Sequence, residues 1–309
     1  MKYTDSLGMK ISQFSLGTVQ LGLSYGVAND SGKPSREQAH ELLRCAVEGG
    51  VNSIDTAAAY GDSEEVIGSF LEDCPETERL LITTKIADFD HSSEQALERS
   101  IREKTAECKR RLGLPQIPIL MLHHSKDFTE NPEGVLRVLE ALRAEGEVRR
   151  IGISLYEEDD FAQVAASSFD AVQIPQNIFD WRLITSGKLS ALTEAKKIIF
   201  VRSVFLQGLV FKTPDTLSET MTFCAPALQK FRTFCERYQM SPAALAASFV
   251  LSLPGVTSLV LGCETVEQVR QNLALIEQTS TLSETQMGEL RAAFEHTDPR
   301  VLDPRQWNA

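Results

Sequence analysis

Short runs of apolar residues recur along the whole chain, and within most of them apolar and polar positions do not alternate. Uninterrupted apolar runs of this length are typical of strands that are buried on both faces of a parallel sheet. We therefore predict eight strands, over residues 14–18, 51–55, 80–85, 117–122, 150–154, 171–174, 198–203 and 258–261.

The segments between these runs have the three- and four-residue apolar spacing of amphipathic helices. Gly49 and Gly50 are expected to end the first helix, because glycine adopts the left-handed C-cap conformation at little cost. Asp62 and Glu65 have the spacing of a capping box at the start of the second. Helices are predicted over 36–48, from 62 onwards, and over 93–112, 132–144, 157–166, 183–195, 227–238, 242–253, 265–276 and 283–295.

Each predicted strand is followed by a helix, and this order is typical of α/β folds with a parallel sheet. Eight such units in 309 residues predict one (β/α)8 TIM barrel domain over residues 1–309. The residues before Phe14 would form a small N-terminal cap, and 283–295 would be an extra C-terminal helix. A doubly wound open sheet is the alternative, but Gly17 to Gly22 does not have the Gly-x-Gly-x-x-Gly pattern of its usual nucleotide site.

Composition limits the classes of function. The net charge of −12 argues against a general nucleic-acid or anionic-membrane binder. The six cysteines are scattered, without Cys-x-x-Cys or zinc-type spacing, so we expect reduced thiols and no metal site. The first residues lack the apolar core of a signal peptide. A cytoplasmic protein that acts on a small molecule, with neither nucleic acid nor membrane as partner, is the resulting expectation.

Polar residues follow three consecutive predicted strands. Asp55 ends the strand over 51–55, Lys85 ends the strand over 80–85, and His123 follows the strand over 117–122, while Tyr60 lies in the loop after Asp55. The carboxyl ends of barrel strands form the active-site face, so these four side chains are predicted to converge. Each has an ordinary structural interpretation if taken singly, for example a core histidine. Their joint order favours a catalytic site for proton transfer to a carbonyl oxygen.

The phenol of Tyr60 needs an activating neighbour to act as an acid, because a free phenol has a pKa of about 10. An ammonium about 4 Å away contributes about 4 kcal/mol at an effective dielectric of 20. This corresponds to about three pKa units as an upper figure, since pairing between Asp55 and Lys85 would cancel part of it. The interpretation is that Tyr60 donates the proton, Lys85 lowers its pKa, Asp55 holds Lys85, and His123 orients the carbonyl.

Residues 54–61 (IDTAAAYG) and 63–68 (SEEVIG) resemble the signature of the aldo-keto reductases. The similarity extends through Thr84-Lys85, Leu122-His123 and residues 151–154, 172–177, 205–209 and 261–272. The resemblance implies a (β/α)8 barrel that binds a nicotinamide dinucleotide and transfers hydride to an aldehyde or ketone. It also implies that Asp55, Tyr60, Lys85 and His123 are the catalytic tetrad.

The same resemblance implies a set of cofactor contacts. Ser154 and Gln173 would hold the nicotinamide carboxamide, and the loop after the seventh strand would wrap the pyrophosphate. The adenosine end would lie along the segment from Gly262 to Asn272. The implied contacts are Gly17, Thr18, Asp55, Ser154, Gln173, Arg202, Ser203, Phe205, Gln207, Gly208, Leu209, Gly262, Gln268 and Asn272.

Some positions depart from the family pattern. Leu155 stands where many members have an asparagine, and Arg202 stands where many have an aromatic ring. Glu264 and Glu267 lie where NADPH-dependent members usually have a cation, and Arg270 is the nearest positive charge. NADP(H) is the expected cofactor because it is the usual choice of the family, and NAD(H) is the alternative. Thr265 and Gln268 would also fit an ordinary capping box.

The candidate substrate-pocket residues are Tyr25 and His124. A histidine at position 124 could favour polar carbonyls such as sugars. Two other functions stay open at this point. One is a non-catalytic subunit that binds a nicotinamide nucleotide, and the other is an aldolase in which Lys85 forms a Schiff base.

Overall fold

The computed structural model describes residues 1–24, 32–75, 77–304 and 307. The chain begins with an antiparallel hairpin, formed by strands β1 (Tyr3–Ser6) and β2 (Met9–Ser12). Met9 and Ile11 are buried in a cluster with residues from inside the barrel, among them Ile119 and Phe200. The hairpin therefore closes the amino end of the barrel with apolar side chains, which confirms the predicted N-terminal cap.

The remaining strands of the described residues form a closed parallel barrel, in the order β10-β3-β4-β5-β6-β7-β8-β9. They are β3 (Phe14–Gly17), β4 (Ser53–Asp55), β5 (Leu81–Ile86), β6 (Ile117–Leu122), β7 (Val148–Ser154), β8 (Ala171–Pro175), β9 (Ile198–Arg202) and β10 (Val256–Gly262). The predicted (β/α)8 TIM barrel is thus confirmed, and the open doubly wound sheet is wrong.

The two faces of each strand have different surroundings, because successive side chains point to opposite sides. In β5, Leu81 packs in the interior cluster, whereas Ile82 and Ile86 pack in the large outer cluster against the helices. Lys85 has the same parity as Leu81 and therefore points into the barrel. Its position near the carboxyl end of β5 places the ammonium at the barrel mouth.

Helices surround the barrel. They are α1 (Val19–Gly22), α2 (Arg36–Glu48), α3 (Ser63–Leu71), α4 (Glu94–Leu112), α5 (Ser125–Glu130), α6 (Pro132–Ala144), α7 (Phe161–Ala166), α8 (Arg182–Thr185), α9 (Lys188–Glu194), α10 (Ala225–Tyr238), α11 (Pro242–Leu251), α12 (Val266–Gln278), α13 (Glu284–Phe294) and α14 (Pro299–Leu302). Local signals fixed several bounds correctly. Ser35 caps α2 in a capping box with Gln38, and Gly113 ends α4 in the left-handed conformation at a φ of 65°.

Three helix predictions need correction. Asp62 makes no side-chain cap at the start of α3, because its carboxylate pairs with Lys33 at 2.5 Å instead. The helix predicted over 183–195 is broken into α8 and α9 at Gly187, which has a φ of 76°. The helix predicted from 157 begins only after Asp160, whose side chain accepts the first capping hydrogen bond.

Two segments outside the barrel units cover its carboxyl end. After β9 the chain forms 3-10 turns over Leu206–Phe211, Pro214–Thr216 and Glu219–Cys224 before α10 begins. The second segment follows the predicted C-terminal helix and consists of α14 and the buried Trp307. The indole N–H of Trp307 donates to the carbonyl of Arg300 at 3.0 Å. In the described part of the chain, every helix is too short or too polar to cross a bilayer.

Candidate active site

Asp55 and Lys85 form a buried ion pair at the barrel mouth. The Nζ of Lys85 donates to both carboxylate oxygens of Asp55 at 2.8 Å and to the carbonyl of Thr56 at 2.9 Å. Lys85 is 0% exposed and Asp55 4%. Register explains the contact, since Asp55 on β4 lies opposite Thr83, two residues before Lys85 on β5. The Nζ of Lys85 thus has three acceptors within the protein.

Tyr60 lies beside this pair. The Nζ of Lys85 is 5.2 Å from the centroid of the Tyr60 ring, and the rings of Tyr60 and His123 meet edge to face at 5.6 Å. A tight contact fixes the turn that carries Tyr60, because a Cβ on Gly22 would overlap with the Tyr60 carbonyl oxygen. The structure therefore brings the four sequence-predicted residues together at one end of the barrel.

A chain of buried hydroxyls secures the loop between Asp55 and Tyr60. The Thr56 hydroxyl donates to Ser63 at 3.0 Å, and Ser63 donates to the Thr18 hydroxyl at 2.9 Å. Thr18 in turn donates to the carbonyl of Asp55, from its hydroxyl at 2.9 Å and from its backbone N–H at 3.0 Å. These bonds connect the ends of β3 and β4 to the start of α3, and so they restrict the backbone that positions Tyr60.

His123 is held in its neutral form. Burial lowers the pKa of its imidazole from 6.5 to about 3, with further lowering by the positive charge of Lys85, by His124 and by Arg202. The ring of His124 stacks on it in parallel at a centroid distance of 4.9 Å. A neutral imidazole can donate one hydrogen bond to a carbonyl oxygen without itself supplying a full positive charge.

A cleft of about 880 Å³ runs from these residues along the carboxyl ends of β3, β10 and β9. Asp55, Tyr60 and His123 line one end of it. Most of the residues expected to contact a cofactor also line it, namely Gly17, Thr18, Ser154, Gln173, Arg202, Ser203, Phe205, Gln207, Gly208, Gly262, Gln268 and Asn272. Leu209 does not, because its side chain is 1% exposed and packs in the outer core.

Gln173 and Ser154 are neighbours in the β7–β8 register and lie beside the ion pair. The Nε2 of Gln173 donates to the Oδ1 of Asp55 at 2.7 Å. This bond fixes the orientation of the side-chain amide and directs its oxygen away from the carboxylate. An amide oxygen next to a serine hydroxyl is a suitable partner for a primary carboxamide.

The loop after β9 has an unusual backbone. Ser203, Leu206 and Gln207 have positive φ angles of 63°, 46° and 49°, and Gly208 follows at 90°. Left-handed backbone is uncommon for residues other than glycine and is concentrated at functional sites. Ser203, Leu206, Gln207 and Gly208 all line the cleft, so the uncommon backbone forms part of its wall.

The end of the cleft near α12 differs in detail from the expectation. The Thr265 hydroxyl accepts from the N–H of Gln268 at 3.2 Å, but the Gln268 side chain accepts from Glu264 at 2.7 Å and not from Thr265. The predicted capping box is therefore not reciprocal, because the Gln268 side chain accepts from the backbone N–H of Glu264, the residue before Thr265. Glu264 lines the cleft, whereas Arg270 lies outside that lining, 66% exposed, with Glu267 at 3.9 Å.

Several cleft residues were missed in the sequence. The Oε1 of Gln20 is buried and has no hydrogen-bond partner among the described residues, so it is an acceptor available to a ligand. Tyr156 lies under the guanidinium of Arg202 at 4.4 Å from the ring centroid. Pro299, Leu302 and Pro304 also line the cleft. Gln20 is a polar residue soon after a strand end, which is a usable signal, but no sequence pattern indicates the others.

The structure describes one of the two candidate substrate-pocket residues, His124. The other, Tyr25, lies outside the described residues. His124 lines a second, adjacent cavity and not the main cleft. Within the described part of the chain, no group of three or more His, Cys, Asp or Glu residues is placed to hold a metal ion.

Comparison with known proteins places this site in a family. The Aldo/keto reductase family model matches residues 13–295. An NADH-specific methylglyoxal reductase of Escherichia coli is 28% identical, over 92% of this chain and 96% of that protein. A D-threo-aldose 1-dehydrogenase of a Pseudomonas species is 27% identical, over 81% and 87% respectively.

The fold has close structural counterparts. An aldo-keto reductase from Bacillus halodurans in its holo form superposes with a TM-score of 0.76 at 19% identity, over 95% of this chain and 96% of that one. At this identity the likeness concerns the fold. The family match extends over nearly the whole barrel, and it confirms the resemblance drawn from the sequence motifs. The chain therefore belongs to the aldo/keto reductase family, whose members are oxidoreductases that use nicotinamide cofactors.

Proposed function

We propose that the protein reduces an aldehyde or ketone to an alcohol, with Tyr60 as the proton donor. The observation that carries this proposal is the placement of Tyr60 between a buried ammonium and a neutral imidazole, at the end of a long cleft. Reduction of a carbonyl requires a hydride at carbon and a proton at oxygen. The tetrad supplies the proton side of that reaction.

Lys85 stabilises the charge that develops on Tyr60. When the phenol transfers its proton, negative charge grows on the ring oxygen, and the adjacent ammonium lowers the energy of that state. Asp55 keeps the ammonium in place through its two hydrogen bonds at 2.8 Å. The pair is therefore a fixed dipole that needs no rearrangement during the reaction.

His123 orients the substrate. Its imidazole stays neutral at physiological pH, because burial lowers its pKa to about 3. A neutral ring N–H can donate to the carbonyl oxygen from the side opposite to Tyr60, and it then polarises the carbonyl without competing for the proton. The edge-to-face contact with Tyr60 keeps the two rings next to each other at the same end of the cleft.

The cleft fits a nicotinamide dinucleotide. Gln173 and Ser154 would hold the carboxamide, and the Oε1 of Gln20 would accept from the part of the cofactor that passes β3. The reduced nicotinamide, when bound there, would supply the hydride. Ser203 and Gly208, in the left-handed loop after β9, would follow the pyrophosphate.

We propose NADH as the preferred cofactor, although NADP(H) is the usual choice expected from the sequence. Glu264 lines the end of the cleft assigned to the adenosine, and a 2′-phosphate there would meet a carboxylate. In the described part of the chain, the cations that line the cleft are Arg182 and Arg202. Arg182 is already paired with Asp180 at 2.7 Å. The NADH specificity in the name of the Escherichia coli relative agrees with this choice.

The Schiff-base alternative is not supported by the geometry. A lysine that attacks a carbonyl must be neutral, and such lysines are usually placed in apolar or cationic surroundings. Lys85 instead donates to the carboxylate of Asp55 and to the carbonyl of Thr56, so its surroundings are anionic and polar.

Two measurements test the proposed function. Loss of absorbance at 340 nm with a panel of aldehydes and ketones, including methylglyoxal and short aldoses, tests turnover. Fluorescence titration with NADH and with NADPH tests binding separately. We expect turnover of carbonyls and tighter binding of NADH. Tight cofactor binding without turnover of any carbonyl would contradict the reductase proposal and favour the nucleotide-binding role.

A further inference from the structure

A second cavity, of about 530 Å³, opens at the carboxyl ends of β5 and β6. It is lined by Asp88, Phe89, His91, His124, Ser125, Lys126, Asp127, Glu130 and Tyr156. The proposed proton transfer and cofactor binding use none of these side chains. The cavity is therefore available for another part of a ligand.

The cavity adjoins the candidate reaction centre. Tyr156 lines both the cavity and the main cleft. His124, on the cavity wall, stacks at 4.9 Å on His123, which lines the cleft. A molecule whose carbonyl lies at Tyr60 and His123 would reach the cavity by passing these two side chains.

The wall of the cavity is held by a buried carboxylate. Asp127 is 7% exposed and accepts from the backbone N–H groups of Asp88 at 3.1 Å and Phe89 at 3.2 Å. Asp88 has a φ of 60° there, so the loop after β5 is fixed in an uncommon conformation. Asp127 thus satisfies two backbone donors of this loop, and both Asp88 and Asp127 line the cavity.

His91 provides unsatisfied polar atoms. Both ring nitrogens are buried, and neither makes a hydrogen bond within the described part of the protein. The carboxylates of Glu130 and Asp127 lie 3.5 Å and 4.0 Å from the Nε2 of His91, which are ion-pair distances without hydrogen-bond geometry. A buried imidazole costs free energy unless a partner reaches it, so a ligand that bonds to it gains that difference.

These features select a class of ligand. A carboxylate or phosphate would meet Asp88, Asp127 and Glu130, and the ammonium of Lys126 in the same lining is 83% exposed and lies 3.5 Å from Glu130. A hydroxyl is different, because it can donate to a carboxylate and also exchange a hydrogen bond with an imidazole. Phe89 and Tyr156 offer apolar surface for the C–H face of a carbon chain.

We propose that this cavity is a subsite for the distal, uncharged, polyhydroxylated part of the substrate, with Asp88 and His91 as the residues that recognise its hydroxyls. The proposal rests on the proposed carbonyl reduction at Tyr60. It deepens that function, since it names the part of the substrate beyond the reacting carbonyl.

The test compares two four-carbon aldehydes, erythrose and butanal, by kcat/KM at 340 nm. The variants are Asp88→Asn, which keeps a residue that tolerates positive φ, and His91→Phe, which keeps a ring. The fraction of erythrose that is hydrated is the same for every protein, so it cancels when the ratio for each variant is compared with the ratio for the wild type. We expect the erythrose to butanal ratio to fall about fivefold in each variant, as for loss of one hydrogen bond, with butanal unchanged. Glu41→Gln, on the exposed face of α2, is the matched control.

The outcomes separate the subsite from the proposed function. An unchanged ratio, or an equal loss with both aldehydes, overturns the subsite. If the wild type turns over neither aldehyde, titration calorimetry with xylitol decides. Binding that weakens in Asp88→Asn then supports the subsite although neither aldehyde is turned over, whereas equal binding by both proteins, or absence of binding, overturns the subsite.

Discussion

Lys85 donates two hydrogen bonds of 2.8 Å to the two oxygens of Asp55, inside the barrel mouth and with the lysine completely buried. Taking both charges out of water is costly, and the hydrogen bonds offset that cost only while both partners are present. The pair therefore adds little to the net free energy of unfolding, but it holds a positive charge next to Tyr60.

Lys85→Met should destabilise the protein by about 3–5 kcal/mol, because it leaves the carboxylate of Asp55 buried without a counter-charge. The double variant Asp55→Asn with Lys85→Met removes both charges and should recover most of that loss. Urea unfolding followed by circular dichroism measures each free energy of unfolding. Equal stability of the single and double variants would show that the charges are not coupled.

The pKa of His123 predicts a pH effect with a definite sign. Its folded-state pKa is about 3, below the ordinary value of 6.5, so the unfolded chain binds a proton that the folded chain does not. This stabilising contribution is present above about pH 6.5 and is lost as the pH falls towards 3. Between pH 7 and 5, the wild type should therefore lose more unfolding free energy than His123→Asn.

The same pKa has a kinetic consequence. The imidazole of His123 should show no titration between pH 5 and 8 by NMR, and kcat/KM should show no ionisation assignable to it in that range. A histidine resonance that shifts near pH 6.5 and disappears in His123→Asn would contradict a buried neutral ring.

Gly22 is predicted to control the position of Tyr60. In Gly22→Ala the new Cβ would overlap with the Tyr60 carbonyl oxygen, so the turn must move. A displacement of this kind should lower kcat by about 100-fold while cofactor binding is largely kept. Gly288→Ala is the control, because a Cβ at that helical position meets nothing within 4 Å. It should keep kcat and raise stability by about 0.5–1 kcal/mol.

Glu264 should decide the preference between the two cofactors. Glu264→Lys would replace a carboxylate by a cation at the end of the cleft. NADPH affinity should rise and become salt-dependent, while NADH affinity should fall only slightly. Glu267→Lys is the matched control, since that side chain is 66% exposed and does not line the cleft. Equal gains in both variants would indicate a general charge effect.

The sequence predicted the strand ends well, and there is a physical reason. Asp55, Lys85 and His123 lie at or next to the carboxyl ends of apolar runs, and barrel closure brings those ends together irrespective of loop detail. The α2 and α6 bounds were also predictable, because local apolar spacing and caps determine them. Both kinds of signal are short in range.

Contacts between distant segments could not be predicted in this way. Asp62 stands at a position where the sequence predicts a helix cap, but its carboxylate forms an ion pair with Lys33. The stacking of Arg202 on Tyr156 joins the ends of β9 and β7, and nothing near either residue indicates it. The cleft lining at Pro299, Leu302 and Pro304 follows the last predicted helix, in the segment whose Arg300 carbonyl accepts from the buried Trp307. Such features depend on packing between elements.

The kcat of Tyr60→Phe tests directly whether Tyr60 is the proton donor. This substitution removes the phenolic proton and keeps the ring that contacts His123. We expect unchanged NADH binding by fluorescence and a loss of about 100- to 10,000-fold in kcat with any carbonyl that the wild type reduces. Tyr3→Phe, on the hairpin at the opposite end of the barrel, is the control and should keep full activity. A Tyr60→Phe variant with the same kcat as the wild type would show that Tyr60 is not the proton donor.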